Sequence, residues 1–252
     1  MISLFFLIFL LSCSYTPCCN HIKVIQVIDG DTVKLSDGRL LRYIGIDTPE
    51  VRVREKSRFV YNPQPFSLEA KELNRKLVEN KFVRVEFDIE KFDVYGRMLG
   101  YCFVDDIFVN ARLIEEGLAV LYTKPPNVKY TDLFVTLQKK AQALHKGIWG
   151  AYEVVSSNGA YNFINQIRTV KGKVKGVYTS KKAVFLNFGE DYRKDFTVVI
   201  FNDCLGFFKE KNINPLTFYR DKEIKVWGRI REYNGPEIIV CNPSQIEVVN
   251  EK

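Results

Sequence analysis

Residues 22 to 46, IKVIQVIDGDTVKLSDGRLLRYIGI, carry the reading that decides the fold. Short β-branched runs are broken twice, at Asp29-Gly30 and at Ser36-Asp37-Gly38, and both breaks are strong turn signals. Three strands in a meander follow from that. Downstream, residues 51 to 65 are basic and contain proline (Arg52, Arg54, Lys56, Arg58, Pro63, Pro65), which reads as a mobile loop. The loop feeds a helix from Ser67 to Glu79, where Leu68, Leu73, Leu77 and Val78 recur at helical spacing. Phe82 to Phe87 and Met98 to Val104 alternate as strands do. Val109 to Glu116 and Asp132 to Leu144 read as amphipathic helices, the second stopping at Gly147. A helix between the third and fourth strands of a five-stranded antiparallel set is the layout of an OB barrel.

Trp149 to Asn162 is rich in Gly, Ser, Asn and Tyr and lacks periodicity, so the linker is placed at 151–164. A second set of strands begins after it: Thr169 to Tyr178, Ala183 to Phe188 and Phe196 to Phe201. A helix over Asp203 to Lys211 comes next, then strands at Glu223 to Tyr233 and Glu237 to Val240, joined by an Asn234-Gly235 hairpin turn. Again the helix falls between strands three and four. The expected fold is mainly β with α (α+β), a five-stranded OB-type barrel with three helices over 22–150, followed by a second, smaller OB-like barrel over 165–250.

Length and composition agree with a folded, two-module chain: 252 residues, 46% hydrophobic and 27% charged. Disorder is excluded as the default. A net charge of +7 favours a polyanionic partner, either nucleic acid or an anionic membrane surface. From Ala160 onward 16 Lys or Arg stand against 11 Asp or Glu, so this segment carries +5 of the total. With Phe185, Phe188, Tyr192 and Tyr233 it has the composition of a face that stacks bases, although aromatics in short strands more commonly fill a barrel.

The first twelve residues, MISLFFLIFLLS, are too few to span a bilayer as a finished helix and read as a secretion signal, within an expected signal segment 1–19. Leu10-Leu11-Ser12-Cys13 resembles the bacterial lipobox, which implies membrane attachment through a lipidated Cys13; a buried N-terminal strand is the alternative. Export is the expectation, as a periplasmic, membrane-anchored or secreted bacterial protein. The six cysteines lack paired CxxC spacing, which argues against a structural zinc site. Cys102 reads as a small core residue. Cys204 and Cys241 can pair in an oxidising compartment, and the sequence leaves their separation open. His21 and His145 read as a linker residue and a surface helix residue.

The chemistry is concentrated between Asp29 and Arg97. Locally, Asp29-Gly30-Asp31-Thr32 is a hairpin signal, and Asp47-Thr48-Pro49-Glu50 looks like a capped helix start with proline at its first position. Joined with Arg42 and Asp93-Val94-Tyr95-Gly96-Arg97, they supply hard oxygen ligands, an acid that can handle water and two guanidinium groups for a phosphate. At this point the chain resembles the staphylococcal nuclease (thermonuclease) family. The resemblance rests on VIDGDTVKL at 27–35, RYIGIDTPE at 42–50, DVYGRMLGY at 93–101 and VNARLIEEGLA at 109–119.

The resemblance implies a Ca²⁺-dependent phosphodiesterase acting on DNA and RNA, with single strands preferred. By position, Asp31 and Asp47 are its carboxylate metal ligands, Thr48 gives a backbone carbonyl, and Glu50 handles the attacking water. Arg42 and Arg97 hold the scissile phosphate, while Tyr95 and Tyr122 contact the substrate. Val94 stands where the family has Lys. The four basic residues of the 51–65 stretch are expected to track backbone phosphates. No obligate protein partner is evident. The competing reading is a non-catalytic nucleic-acid or protein-binding scaffold built on two OB-like barrels.

Overall fold

The computed structural model describes residues 21–55 and 58–249. The expected signal segment and Cys13 lie outside the described residues. Among the described residues, no helix is long and apolar enough to cross a membrane.

The meander forms as the turn signals direct: His21–Val27, Thr32–Leu35 and Leu40–Tyr43 pair antiparallel in succession. A register shift between Val24 and Gln26 bends the first strand. Its later half pairs with Thr32–Leu35, and its start pairs with Phe82–Glu86. Phe82–Glu86 pairs with Met98–Val104, which runs parallel to Leu40–Tyr43 and so closes a five-stranded barrel. Inside it lie Val24, Val33, Leu35, Leu41 and Val83, all fully buried. Helices Ser67–Val78, Val109–Glu115 and Thr131–Ala143 complete this module, close to the sequence-based bounds.

Two buried amide side chains fix the segment after the third strand. Asn110 accepts from the Cys102 N–H at 3.0 Å and donates to the Ile44 carbonyl at 2.9 Å. Gln138 accepts from the Leu121 N–H at 2.7 Å, and Val120–Leu121 pairs in turn with Ile46–Asp47. Gly45 sits at φ +81, where a Cβ would meet the Phe134 ring at 2.5 Å, so glycine alone fits this corner. Asp47 is thus held by neighbours on two sides.

Several expectations are revised. Asp47-Thr48-Pro49-Glu50 starts no helix: Ile46–Asp47 is a short strand, because pairing with Val120–Leu121 overrides the local capping signal. The basic stretch after it is a β-hairpin, Arg52–Glu55 paired with Arg58–Tyr61, since alternating residues there satisfy each other's backbone. Residues 151–164, expected as the linker, hold a two-residue strand, Val155–Ser156, parallel to Ile167–Lys173, and a 3-10 turn at Ser157–Phe163. The expected strand over 169–178 is two, Ile167–Lys173 and Gly176–Thr179.

In the second module Gly176–Thr179, Ala183–Asn187 and Thr197–Phe201 pair antiparallel in order. Thr197–Phe201 runs parallel to Pro236–Ile239, which pairs with Glu223–Glu232, and that strand pairs with Ile167–Lys173. This repeats the order of pairings in the first module. A further strand, Ile246–Val248, adds to Glu223–Glu232. Cys204 and Cys241 form a disulfide with their Cα atoms 4.8 Å apart. Cys102 is fully buried, and burial pushes its thiol up to about 12.

The modules meet over a small apolar seam. Ile148 and Val120 of the first pack with Ile167 of the second, and Trp149 meets Trp227 edge to face at 6.0 Å. Polar contacts rim it: Gln64 donates to the Asn165 carbonyl at 3.0 Å, and the Tyr152 hydroxyl to the Pro65 carbonyl at 2.6 Å.

Candidate active site

The Asp29–Asp31 turn is pressed against the loop that follows the third strand. A Cβ on Gly30 would lie 2.7 Å from Thr48 Oγ1 and 2.8 Å from Ala70 Cβ, so the close approach requires glycine. Asn74 ties the turn to helix Ser67–Val78, donating to the Asp29 carbonyl at 3.1 Å while accepting from Tyr43 Oη at 2.9 Å. Asp31 then reaches inward: its Oδ2 accepts from the Thr48 N–H at 3.0 Å, and its Oδ1 from Thr32 Oγ1 at 3.0 Å.

Arg42, on the third strand, bridges both acids. Its Nη1 lies 2.6 Å from Asp31 Oδ2 and its Nη2 3.0 Å from Asp47 Oδ1. Burial works against its charge, but Asp31 and Asp47 outweigh that and raise its pKa. Asp47 shows the converse balance. Burial alone would raise its carboxyl, yet Arg229 and Arg42 hold it below the ordinary range.

Glu50 follows at the mouth, its N–H donating to Gln64 Oε1 at 3.0 Å. Burial raises its pKa to about 7, with Arg229 opposing and Asp31 and Asp47 adding to the rise. Such a carboxylate is tuned to accept a proton near neutral pH. Asp29 is also raised well above its usual value, chiefly by burial and then by Asp31 and Glu50.

Arg97 comes from the opposite wall, in a turn built around Asp93. Asp93 Oδ1 accepts from the Tyr95 and Arg97 N–H groups at 2.9 Å each, and Oδ2 lies 2.7 Å from Arg97 Nε. Two nitrogens of that guanidinium are left for another anion. Arg42, Asp47, Glu50, Tyr95, Arg97 and Tyr122 all face one cavity of about 760 Å³. Asp31 and Thr48 sit behind it, buried. Tyr95 is 81% exposed and stands at the rim, with Val94 beside it, 90% exposed.

One group here escaped the sequence reading. Arg229, 181 residues beyond Thr48, places Nη2 2.7 Å from the Thr48 carbonyl and Nε 2.8 Å from Asp47 Oδ2. Arg231 and Glu232 of the same strand line the cavity as well. The available signal was Trp227, an indole on the otherwise charged side of Lys225, Arg229 and Arg231, which says that this side is covered.

Among the described residues, no three His, Cys, Asp or Glu side chains are gathered as a metal site. Two carboxylates and a carbonyl are nevertheless of the chemistry a divalent calcium ion takes. The guanidinium of Arg229 lies across Asp47 and the Thr48 carbonyl as a cationic stand-in. The donor set therefore fits the cation in type and sign.

An OB barrel that gathers these acids and arginines along one cleft has the make-up of a phosphodiester hydrolase. The staphylococcal nuclease homologue family matches residues 40–151. The thermonuclease of Staphylococcus hyicus is 41% identical over 130 residues, covering 50% of this chain and 74% of that protein. The SPbeta prophage-derived endonuclease YokF of Bacillus subtilis (strain 168) is 34% identical over 163 residues, 63% of this chain and 52% of that protein. Endonuclease YncB of the same strain is 34% identical over 144 residues, 55% of this chain and 66% of YncB. The chain belongs to the staphylococcal nuclease family.

Proposed function

We propose that this nuclease hydrolyses phosphodiester bonds of DNA and RNA with Ca²⁺ as cofactor, and that the second module, OB-like in its pairing order, helps hold the substrate. The observation that carries the reading is the single cleft with Arg42, Asp47, Glu50, Tyr95, Arg97 and Tyr122 on its walls. Attack on a phosphodiester builds negative charge on the equatorial oxygens, and preorganised guanidinium groups stabilise it. Arg42 and Arg97 take that role. Glu50 accepts the proton of the attacking water, Tyr95 and Tyr122 contact the nucleotide, and Asp31, Asp47 and the Thr48 carbonyl hold the cation. When bound, Ca²⁺ supplies charge neutralisation at the phosphate and polarises the water.

The hairpin beside Glu50 supports a polynucleotide substrate. Arg52 opposes Tyr61 and Arg54 opposes Phe59, so two cations and two aromatic rings share one face. Such a face suits single strands, with the arginines on phosphates and the rings on bases. The Cys204–Cys241 disulfide supports an exported location, because such bonds persist in oxidising compartments.

Degradation of labelled single-stranded DNA and RNA, with millimolar Ca²⁺ or with chelator, tests the reading, with Glu50→Gln in parallel. Cleavage that needs Ca²⁺ and collapses in the variant while nucleotide binding persists is the expected result. Binding without cleavage under any metal would refute it.

A further inference from the structure

Arg229 belongs to the second module, yet three of its four polar partners, Asp47, Thr48 and Glu50, are in or behind the cleft of the first. Its side chain is only 13% exposed. Nε lies 2.8 Å from Asp47 Oδ2, and Nη2 donates to the Thr48 carbonyl at 2.7 Å while standing 3.4 Å from Glu50 Oε1. Nη1 donates to the Asn165 carbonyl at 2.6 Å. With Arg42 on the other oxygen of Asp47, both oxygens of that carboxylate are engaged by guanidinium groups.

We propose that Arg229 is an active-site residue that occupies the cation position, and that a divalent cation binds only as this guanidinium withdraws from Asp47 and Thr48. The proposal rests on the Ca²⁺ reading above. A calcium ion sits about 2.3–2.6 Å from its oxygen ligands. Guanidinium nitrogens at 2.7 and 2.8 Å from the same two donors leave no room for it, and two positive charges there repel each other. Occupancy is therefore exclusive.

Withdrawal has two consequences. Arg229 is anchored two residues from Trp227, which packs on Trp149 across the seam, so a cation that displaces the guanidinium loosens the docking of the modules. By linkage, docking weakens cation binding to the same degree. The released guanidinium already lines the cleft of Arg42 and Arg97, where a substrate phosphate is its natural next partner. Free enzyme would then bind the cation poorly and substrate-loaded enzyme well.

Calcium titrated by calorimetry into the full chain without nucleic acid tests this, comparing the parent with Arg229→Gln and Arg229→Lys. The expected result is affinity at least tenfold higher for Arg229→Gln, with Arg229→Lys in between because it keeps the charge and loses the fork. Trp149 and Trp227 are the two tryptophans of the chain, so intrinsic fluorescence reports the seam. Calcium should change it in the parent and much less in Arg229→Gln. Thermal melting checks that each variant is folded; if Arg229→Gln is not, the Arg229→Lys comparison and the parent's fluorescence carry the test. Equal affinity in all three proteins would overturn the proposal and leave the Ca²⁺ reading standing. Weaker binding in Arg229→Gln would overturn it by making Arg229 an organiser of the site. Absence of binding in parent and variants alike would overturn the proposal, because removing Arg229 would not have opened the site, while the Ca²⁺ reading would fall only if cleavage proved independent of Ca²⁺.

Discussion

At the middle of the parallel pairing that closes each strand path, the first module has Arg42 opposite Leu99 and the second has Val198 opposite Ile238. The order of strands is the same. Arg42 alternates with the core residues Leu41 and Tyr43 and so points away from the barrel interior, towards Asp31 and Asp47, whereas Val198 falls on the inward phase with Phe196 and Ile200 and is fully buried among apolar neighbours. The segments that follow differ in the same sense: one carries Asp47 into the cleft, the other carries Cys204 into a disulfide. One order of pairings thus presents a charged, outward-facing position in the first module and an apolar, inward-facing one in the second, and it is the facing of each residue, together with its type, that decides whether it is free for chemistry.

The largest effects should come from truncating these two side chains. Arg42→Ala is expected to lower kcat/KM on single-stranded DNA by ~10²–10³, the usual loss for a preorganised electrostatic donor. Lys at 42 should restore little, because it cannot bridge two carboxylates as a fork does. In the core of the second module, Val198→Ala should cost about 2 kcal/mol of stability and leave kcat/KM of the folded protein within about twofold, since no reacting group is touched. Arg42→Ala activity within tenfold of the parent would remove the contrast.

How far the sequence disclosed all this depends on distance along the chain. Asp29-Gly30-Asp31, Arg42, Asp47-Thr48-Pro49-Glu50 and Tyr95-Gly96-Arg97 lie within seventy residues, and local turn chemistry with motif order was enough to bring them together. Met98–Val104 was legible to the residue because its alternation is clean. The hairpin at Arg52–Tyr61 was missed because charge and proline content were weighed over the alternation of Arg52-Val53-Arg54 and Phe59-Val60-Tyr61. Arg229 was out of reach for another reason: its partners lie in a different module, and no local pattern records a contact spanning 181 residues. Trp227 on a charged strand face marked that face as covered without saying by what.

A second contrast concerns stability. The second module is stapled by Cys204–Cys241, closing a 37-residue separation, while the free Cys102 of the first lies in its core. In the chain-entropy view a loop of that size is worth about 4 kcal/mol. Replacing both cysteines with alanine should therefore strip hydrogen-exchange protection from residues 167–248 and leave residues 22–150 much as they were. Equal loss in both modules would mean that the seam, rather than the disulfide, sets the stability of the second.

The smallest expected effect bears on whether the second module is only cohesive. Arg231 faces the cleft, donates to the Tyr122 hydroxyl at 3.3 Å, and among the described residues pairs with no carboxylate. A guanidinium so placed, beside a tyrosine expected to contact nucleotide, has its charge available for one phosphate. Arg231→Ala should then weaken single-strand binding by less than about tenfold and reduce the log–log salt slope by ~0.7, the share of one phosphate contact on a single strand. A drop in affinity with the slope unchanged would assign Arg231 to positioning Tyr122 instead. No change in either would return the whole substrate cleft to the first module and sharpen the division of labour between two copies of one strand order.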